Sequence, residues 1–474
     1  GLNGAVFKDG NLVGVAWEAL AAFAMIATAL LFLPRYLASG FTTTPAFLEK
    51  RFDRGTRLTV SALFLFGYVT VLLPVVLYTG SLAIKTMFGL DLPLWTIVVG
   101  IGLLGSSYAI FGGLKSVAVS DTFNGVGLLI GGLAIPFLAL SALGDGSMLE
   151  GLATLYREKP ESLAVLASTN KSGEMASVPW DTLLTGMMFI QIFYWSTNQV
   201  IVQRAMGAKN LAEGQKGVLF ASVMKLVGPI MLCLPGIIAL HMTDALNITK
   251  DDQVYPAIVR HVLPEWSLGL FAAVLVGSIL SSFNSALNSA STLFCLEFLE
   301  PKLDPEIYKT KHDRAERLVQ IGKQFGSVLA IASMAIAPLL AQMESIFEYL
   351  QKVNGLYSVP IISIFLVGVL TRKTPSIAAK WAMAVGILSY GYFTFFPIAG
   401  MHWLHMYFIS FVSALLAMLV FTILAPKTEA EMALSDQRDP SPVDMTPWKH
   451  AKSASMVIVM LTIAMYAVLQ NLSG

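Results

Sequence analysis

Residues 217–242 read GVLFASVMKLVGPIMLCLPGIIALHM, an apolar run interrupted by Lys225 and, at its end, by His241. About 20 residues of helix, at 1.5 Å per residue, match the ~30 Å hydrocarbon core of a bilayer. Comparable runs recur at about 12–34, 58–84, 92–111, 117–143, 182–203, 267–298, 326–343, 353–371, 375–398, 404–425 and 453–471. A soluble core has no use for twelve of them. Charged residues are only 13% of the chain, whereas a soluble domain carries about 25%, and 55% are hydrophobic. Inside lipid every backbone polar group must be satisfied within the segment, which leaves helices or a closed barrel. No stretch alternates with period two over the length of a barrel strand. The sequence therefore predicts an all-α polytopic membrane protein, with residues 1–474 forming one transmembrane domain.

Orientation follows from the basic residues. Most of the 31 Lys and Arg residues fall in one alternate set of connections, from Arg35 and the 50–57 cluster through Lys302–Lys323 to Lys427–Lys452. That set is expected to be cytoplasmic, including the mixed-charge link 300–325. The loops 144–180 and 243–266 are then expected outside. Twelve spans with the first connection inside put both ends outside, an arrangement that suggests a preceding span. Net charge is +1, so the lipid bilayer is the expected macromolecular surround and no bias points to nucleic acid. Cys233 and Cys295 lie in separate apolar runs and do not form a disulfide framework.

A charged side chain at bilayer depth costs at least ~2.5–3.5 kcal/mol and is expected to face an interior cavity. Glu18, in VGVAWEALAAFAM, needs a partner or a ligand unless it sits at the interface. Gln191, Tyr194 and Asn198 fall at i, i+3 and i+7 on one helical face. Amides that hydrogen-bond hydroxyls, beside a ring that covers an apolar pyranose face, suit a sugar; an amide network between helices is the competing reading. Lys225 precedes Gly228 and Pro229, where a kink is expected, and either serves a site or snorkels. In GSILSSFNSALNS (277–289), Ser278, Ser281, Ser282, Ser285 and Ser289 return every three or four residues. Their oxygens suit a small hard cation, and they suit a tight helix crossing equally. Asp121 opens a span and either is an ordinary helix N-terminal charge or attracts an exiting cation. No phosphate loop and no histidine cluster at ligand spacing is present, so an enzyme is not expected.

Several long stretches in order carry a resemblance: FTTTPAFLEKRFD (41–53), YAIFGGLKSVAVSD (108–121), YWSTNQVIVQRAMGAKN (194–210), QKGVLFASVMKLVGPIMLCLPGI (215–237), SSFNSALNS (281–289) and FEYLQKVNGLYSVP (347–360). Over nearly its whole length the chain resembles the solute:sodium symporter family, and within it the bacterial sodium/galactose symporters. The resemblance implies a LeuT-like inverted-repeat core with solute held at mid-membrane between broken helices. It also implies about fourteen spans in an intact member, with two helices before residue 1. It assigns polar sugar contacts to Glu18, Gln191, Lys225 and Gln351, with Tyr194 closing the sugar from inside. Leu2, Trp17 and Phe347 close it from outside. Ser281 and Ser282 match hydroxyl ligands of sodium, and Ser278 a backbone carbonyl. Asp121 matches an acidic residue tied to sodium release or to a second sodium. The family has Asn at Gln191, Tyr at Trp17, Met at Leu2 and Ser at Ala21, which leaves the sugar open.

The expected function is sodium-coupled symport of a small polar solute, most simply a monosaccharide such as galactose or glucose, by alternating access across the plasma membrane. A sodium symporter for an amino acid, vitamin or organic anion is the alternative, with Lys225 holding a carboxylate. A solute sensor that does not transport is a further one.

Overall fold

The computed structural model describes residues 1–474 except 42, 249, 303–310, 344, 430 and 433–442; the side chains of 39, 108–121, 301, 311 and 312 are likewise not described. Among the described residues the long elements are all helices, and one isolated bridge, Thr169 with Met175, is the sole extended pairing. Nine helices there are long and apolar enough to cross a membrane, from Val13–Ala38 to Ala451–Leu472, and Leu94–Ser107 and Leu183–Ser196 are shorter apolar helices. Each of the twelve expected apolar runs lies for most of its length on helical backbone.

The chain opens with α1 (Leu2–Asp9) and continues through α2 (Ala16–Ala27), α3 (Leu33–Ser39), α4 (Thr44–Arg51), α5 (Arg54–Gly67) and α6 (Leu73–Phe88). A widened π turn joins α2 to α3 at Thr28–Phe32, and another joins α5 to α6 at Tyr68–Leu72. Each directly precedes the first turn of a helix carrying a proline, Pro34 or Pro74. A proline nitrogen has no hydrogen to donate, so the ladder loosens rather than ending.

The two runs expected at 92–111 and 117–143 lie on one continuous helix, α7 (Leu94–Leu143). The connection expected near 112–116 holds glycines but no proline, so nothing removes a donor from the ladder. At about 75 Å the 50 residues of α7 are far longer than a bilayer core. After α8 (Met148–Glu158) the run expected at 182–203 divides into α9 (Met188–Ser196) and α10 (Gln199–Met206). The run at 217–242 divides at Cys233 into α11 (Leu211–Leu232) and α12 (Leu234–His241). The kink expected at Gly228–Pro229 thus falls a turn later. Pro229 is carried inside α11, and Pro235, in the first turn of α12, enforces the break.

The remaining helices are α13 (Thr243–Leu246), α14 (Val254–Val262), α15 (Glu265–Leu293), α16 (Lys311–Ile336), α17 (Ile346–Leu370), α18 (Ser376–Phe395), α19 (Trp403–Leu424) and α20 (Ala451–Leu472). The largest buried cluster joins Phe32, Tyr36, Phe64, Tyr68, Phe193, Phe283, Tyr357 and Phe365. Outside this cluster α2 and α11 run antiparallel, stitched at three levels. Gln215 donates to the Ala29 carbonyl at 3.1 Å, Ser222 to the Ala22 carbonyl at 3.1 Å, and Lys225 meets Glu18.

Candidate functional site

The α2–α11 seam places the two intramembrane charges together. Lys225 Nζ lies 2.9 Å from Glu18 Oε1 and 2.7 Å from Oε2. The Lys225 and Glu18 side chains are 23% and 12% exposed, so the pair is shielded yet open on one side. Gly228, one turn after Lys225, faces the same carboxylate. The Lys225 ammonium also sits 4.9 Å from the centre of the Trp195 ring, a cation–π contact.

α9 closes a second side. Gln191 Nε2 donates to the Trp17 carbonyl at 2.6 Å, and Trp195 Nε1 donates to Gln191 Oε1 at 3.1 Å. Glu18, Lys225, Trp195, Gln191 and Trp17 therefore form one continuous chain of contacts. Trp195 was not among the residues expected from sequence. Its signal was its spacing, one turn from Gln191 and next to Tyr194.

The stripe expected to continue through Asn198 does not. α9 ends at Ser196 and Asn198 becomes the N-cap of α10, its Oδ1 accepting from Val200 N at 3.1 Å and from the Tyr68 hydroxyl at 2.8 Å. Asparagine is among the strongest N-cap residues because its short side chain satisfies an orphan N–H. Ser196-Thr197-Asn198 was a legible stop signal inside an apolar run. The carbonyls freed at the end of α9 are also satisfied. The Thr28 hydroxyl meets Trp195 O at 3.0 Å, and the Tyr36 hydroxyl donates to Ser196 O at 2.8 Å. A broken helix within lipid is stable only with such partners.

Leu2, Trp17 and Phe347 share one apolar cluster. Trp17 and Phe347 meet edge to face, with centroids 5.0 Å apart and planes at 87°. Tyr194 belongs instead to the large cluster, its ring 5.4 Å from that of Trp195. Gln351 lies one turn beyond Phe347 on α17. Its carbonyl accepts from the Tyr407 hydroxyl, and no described residue hydrogen-bonds its side-chain amide.

The serine face of α15 makes contacts of its own. Ser278 donates to the Val274 carbonyl at 3.0 Å and Ser285 to the Ser281 carbonyl at 2.8 Å. Arg204 of α10 donates to the Ser285 hydroxyl, and Ser289 donates to Gln203 Oε1 at 3.0 Å. Ser282 is exposed. This face meets α10, the continuation of the broken helix, rather than the Glu18–Lys225 pair. The Asp121 side chain lies outside the described residues.

Sequence and fold comparisons agree. The Sodium:solute symporter family matches residues 1–386. The uncharacterized symporter YidK of Escherichia coli (strain K12) is 37% identical over 486 residues, covering 100% of this chain and 81% of its own length. The sodium/glucose cotransporter of Vibrio parahaemolyticus is 29% identical over 464 residues, 94% of this chain and 82% of that protein. A substrate-bound, outward-open Na+-coupled sialic acid symporter superposes with a TM-score of 0.72 at 19% identity, over 90% of this chain and 91% of that one. That likeness shows the fold, a LeuT-type helical core. The chain belongs to the sodium:solute symporter family and is a multi-pass membrane transporter coupled to sodium, not an enzyme.

Proposed function

We propose that the chain carries a neutral polyhydroxylated solute, a monosaccharide such as galactose or glucose, together with sodium by alternating access. The observation that carries this reading is the closed Glu18–Lys225 pair beside Trp195 and Gln191. The two charges cancel, so an anionic solute would have to displace Glu18 before meeting Lys225. A hydroxyl accepts from the ammonium and donates to the carboxylate without separating them. Charge-assisted hydrogen bonds of this kind are roughly twice as strong as neutral ones. The Trp195 and Tyr194 rings supply apolar faces for a pyranose, and Gln351 brings an amide with no described partner. The relatives named sodium/glucose and sodium/myo-inositol cotransporters support a polyol.

Leu2, Trp17 and Phe347 form the outer gate and Tyr194 the inner one. The oxygens of Ser278, Ser281 and Ser282 hold the co-transported sodium on α15, with Asp121 on its exit path. Asn198 acts by ending α9 rather than by touching sugar. The connections rich in Lys and Arg are cytoplasmic, and the loops 144–180 and 243–266 are external.

Sodium favours the sugar-competent state, and by linkage sugar raises sodium affinity by the same factor. A potential of about 100 mV adds roughly 2.3 kcal/mol per charge moved fully across. Uptake of a labelled-solute panel by proteoliposomes tests the reading: neutral hexoses should compete and carboxylates should not. Competition by carboxylates alone would favour an organic-anion symporter.

A further inference from the structure

We infer that Gly228 is the positioning residue that keeps this symporter's solute site electrically neutral, and so sets its preference for neutral over anionic solutes. The inference rests on the reading of Glu18 and Lys225 as solute contacts. Gly228 is buried, and a Cβ built there would lie 2.5 Å from Glu18 Oε2, 3.1 Å from its Cδ and 3.2 Å from its Cγ. The Glu18 carboxylate thus rests in the notch left by the missing side chain. Lys225 and Gly228 are three residues apart on α11, so they present to the same side. The notch sets the depth at which the carboxylate stops, and at that depth both oxygens reach the Lys225 ammonium.

A methyl group at 228 removes that resting place. The three nearest atoms it would meet all belong to the flexible Glu18 side chain, not to backbone. The strain is therefore relieved by moving the carboxylate, and the helix packing need not change. Alanine is also a better helix former than glycine. The expected result is a folded protein in which Lys225 is left uncompensated beside Trp195. An uncompensated ammonium at a shielded position attracts a carboxylate. The substitution should move selectivity from a neutral sugar toward its carboxylated counterpart. Shortening Glu18 by one methylene should withdraw the carboxylate from the new methyl and restore the pair.

The test compares the full chain with Gly228→Ala, Glu18→Asp, Gly228→Ala/Glu18→Asp and Glu18→Gln. The first readout needs no solute. The rate of acetic anhydride modification at Lys225 is measured by peptide mass spectrometry and referenced to the exposed Lys216. Gly228→Ala should label Lys225 about tenfold faster, within the span of coupling between contacting groups, and approach Glu18→Gln. The double variant should return to near the wild-type rate. Wild-type labelling in Gly228→Ala, or a double variant as fast as Gly228→Ala, overturns the inference. The second readout is sodium-dependent binding of galactose against galacturonate. The ratio should shift toward the acid by about tenfold in Gly228→Ala and revert in the double variant, and an unmoved ratio overturns the selectivity role. If the wild type binds no neutral hexose, the sugar reading fails, while the labelling rates still decide whether Gly228 positions Glu18.

Discussion

The Lys225 ammonium faces both oxygens of the Glu18 carboxylate, at 2.9 and 2.7 Å, across the α2–α11 seam. Three consequences are separable. Removing one partner leaves an uncompensated charge, which costs about 3 kcal/mol when a shielded pair is broken. Lys225→Ala and Glu18→Gln should therefore each lower Tm. The double variant Glu18→Gln/Lys225→Met should recover most of that stability. All three should raise the half-saturating sugar concentration, because sugar affinity depends on the pair and stability depends only on its cancellation. Recovery of both Tm and sugar affinity in the double variant would assign the pair a purely structural role.

Trp195 faces Lys225 with its ring and Gln191 with its indole N–H. Trp195→Phe keeps an aromatic face and loses the donor; Trp195→Leu loses both. Half-saturating sugar concentration should rise in that order. A cation–π contact contributes about 0.5–2 kcal/mol, so the Leu variant should exceed the Phe variant by about twofold or more. Equal effects would show that the ring face contributes nothing.

Asn198 was expected from its spacing to join the sugar contacts, and its side chain instead caps α10 and accepts from Tyr68. Asn198→Ala should cost about 1 kcal/mol for the cap and leave the Tyr68 hydroxyl without that partner. Asn198→Asp should keep the cap and most of the stability. Sugar affinity should follow Tm across these two variants, whereas Gln191→Ala should lower affinity without a matching loss of Tm. An Asn198→Asp protein of full stability and lost affinity would restore Asn198 as a ligand.

The all-helical architecture was legible because lipid forbids unsatisfied backbone, so apolar runs such as 217–242 had no other fate. The Glu18–Lys225 pair was half legible: each charge announced itself by its cost in lipid, while their meeting depends on the antiparallel register of α2 and α11, which no local pattern encodes. The division of 182–203 is hidden because its apolar residues continue through the break and their helical period masks the cap signal at 196–198. Gly228 is legible only as a kink neighbour, since a role that consists of a missing side chain leaves no chemical mark. The serine face was legible as a polar stripe, but its contacts with Arg204 and Gln203 of α10 required the three-dimensional structure.

Asp9, at the end of α1 and before the first apolar helix, accepts from Ser177 N at 2.9 Å and from the Ser177 hydroxyl, tying α1 to the 164–178 segment. Burial raises its pKa from 3.8 to about 6, against the lowering effect of the Ser177 bonds. A folded-state pKa above the unfolded value means that the native state binds more protons between those limits. The contribution of Asp9 to stability should therefore increase as pH falls from about 6 toward 4, and the penalty for its charge should be fully present above 6. Relative to Asp9→Asn, the wild type should gain Tm between pH 7 and 5. Parallel Tm curves for the two proteins would remove Asp9 as the titrating group.

The serines of α15 test the coupling half of the proposal. Ser282 is exposed and Ser281 neighbours it on the same helix. Ser282→Ala should abolish the dependence of uptake on sodium while leaving Tm nearly unchanged, because no buried contact is lost. Unchanged sodium dependence would remove the assignment of sodium to this face.

The most direct measurement is radiolabelled galactose uptake into proteoliposomes holding the full-length protein, with an inward sodium gradient, with equal sodium on both sides, and with potassium replacing sodium. Concentrative uptake under the gradient alone, saturating with sugar and lost in Glu18→Gln/Lys225→Met, is the expected result. Uptake that ignores sodium, or that survives loss of the Glu18–Lys225 pair, would contradict it.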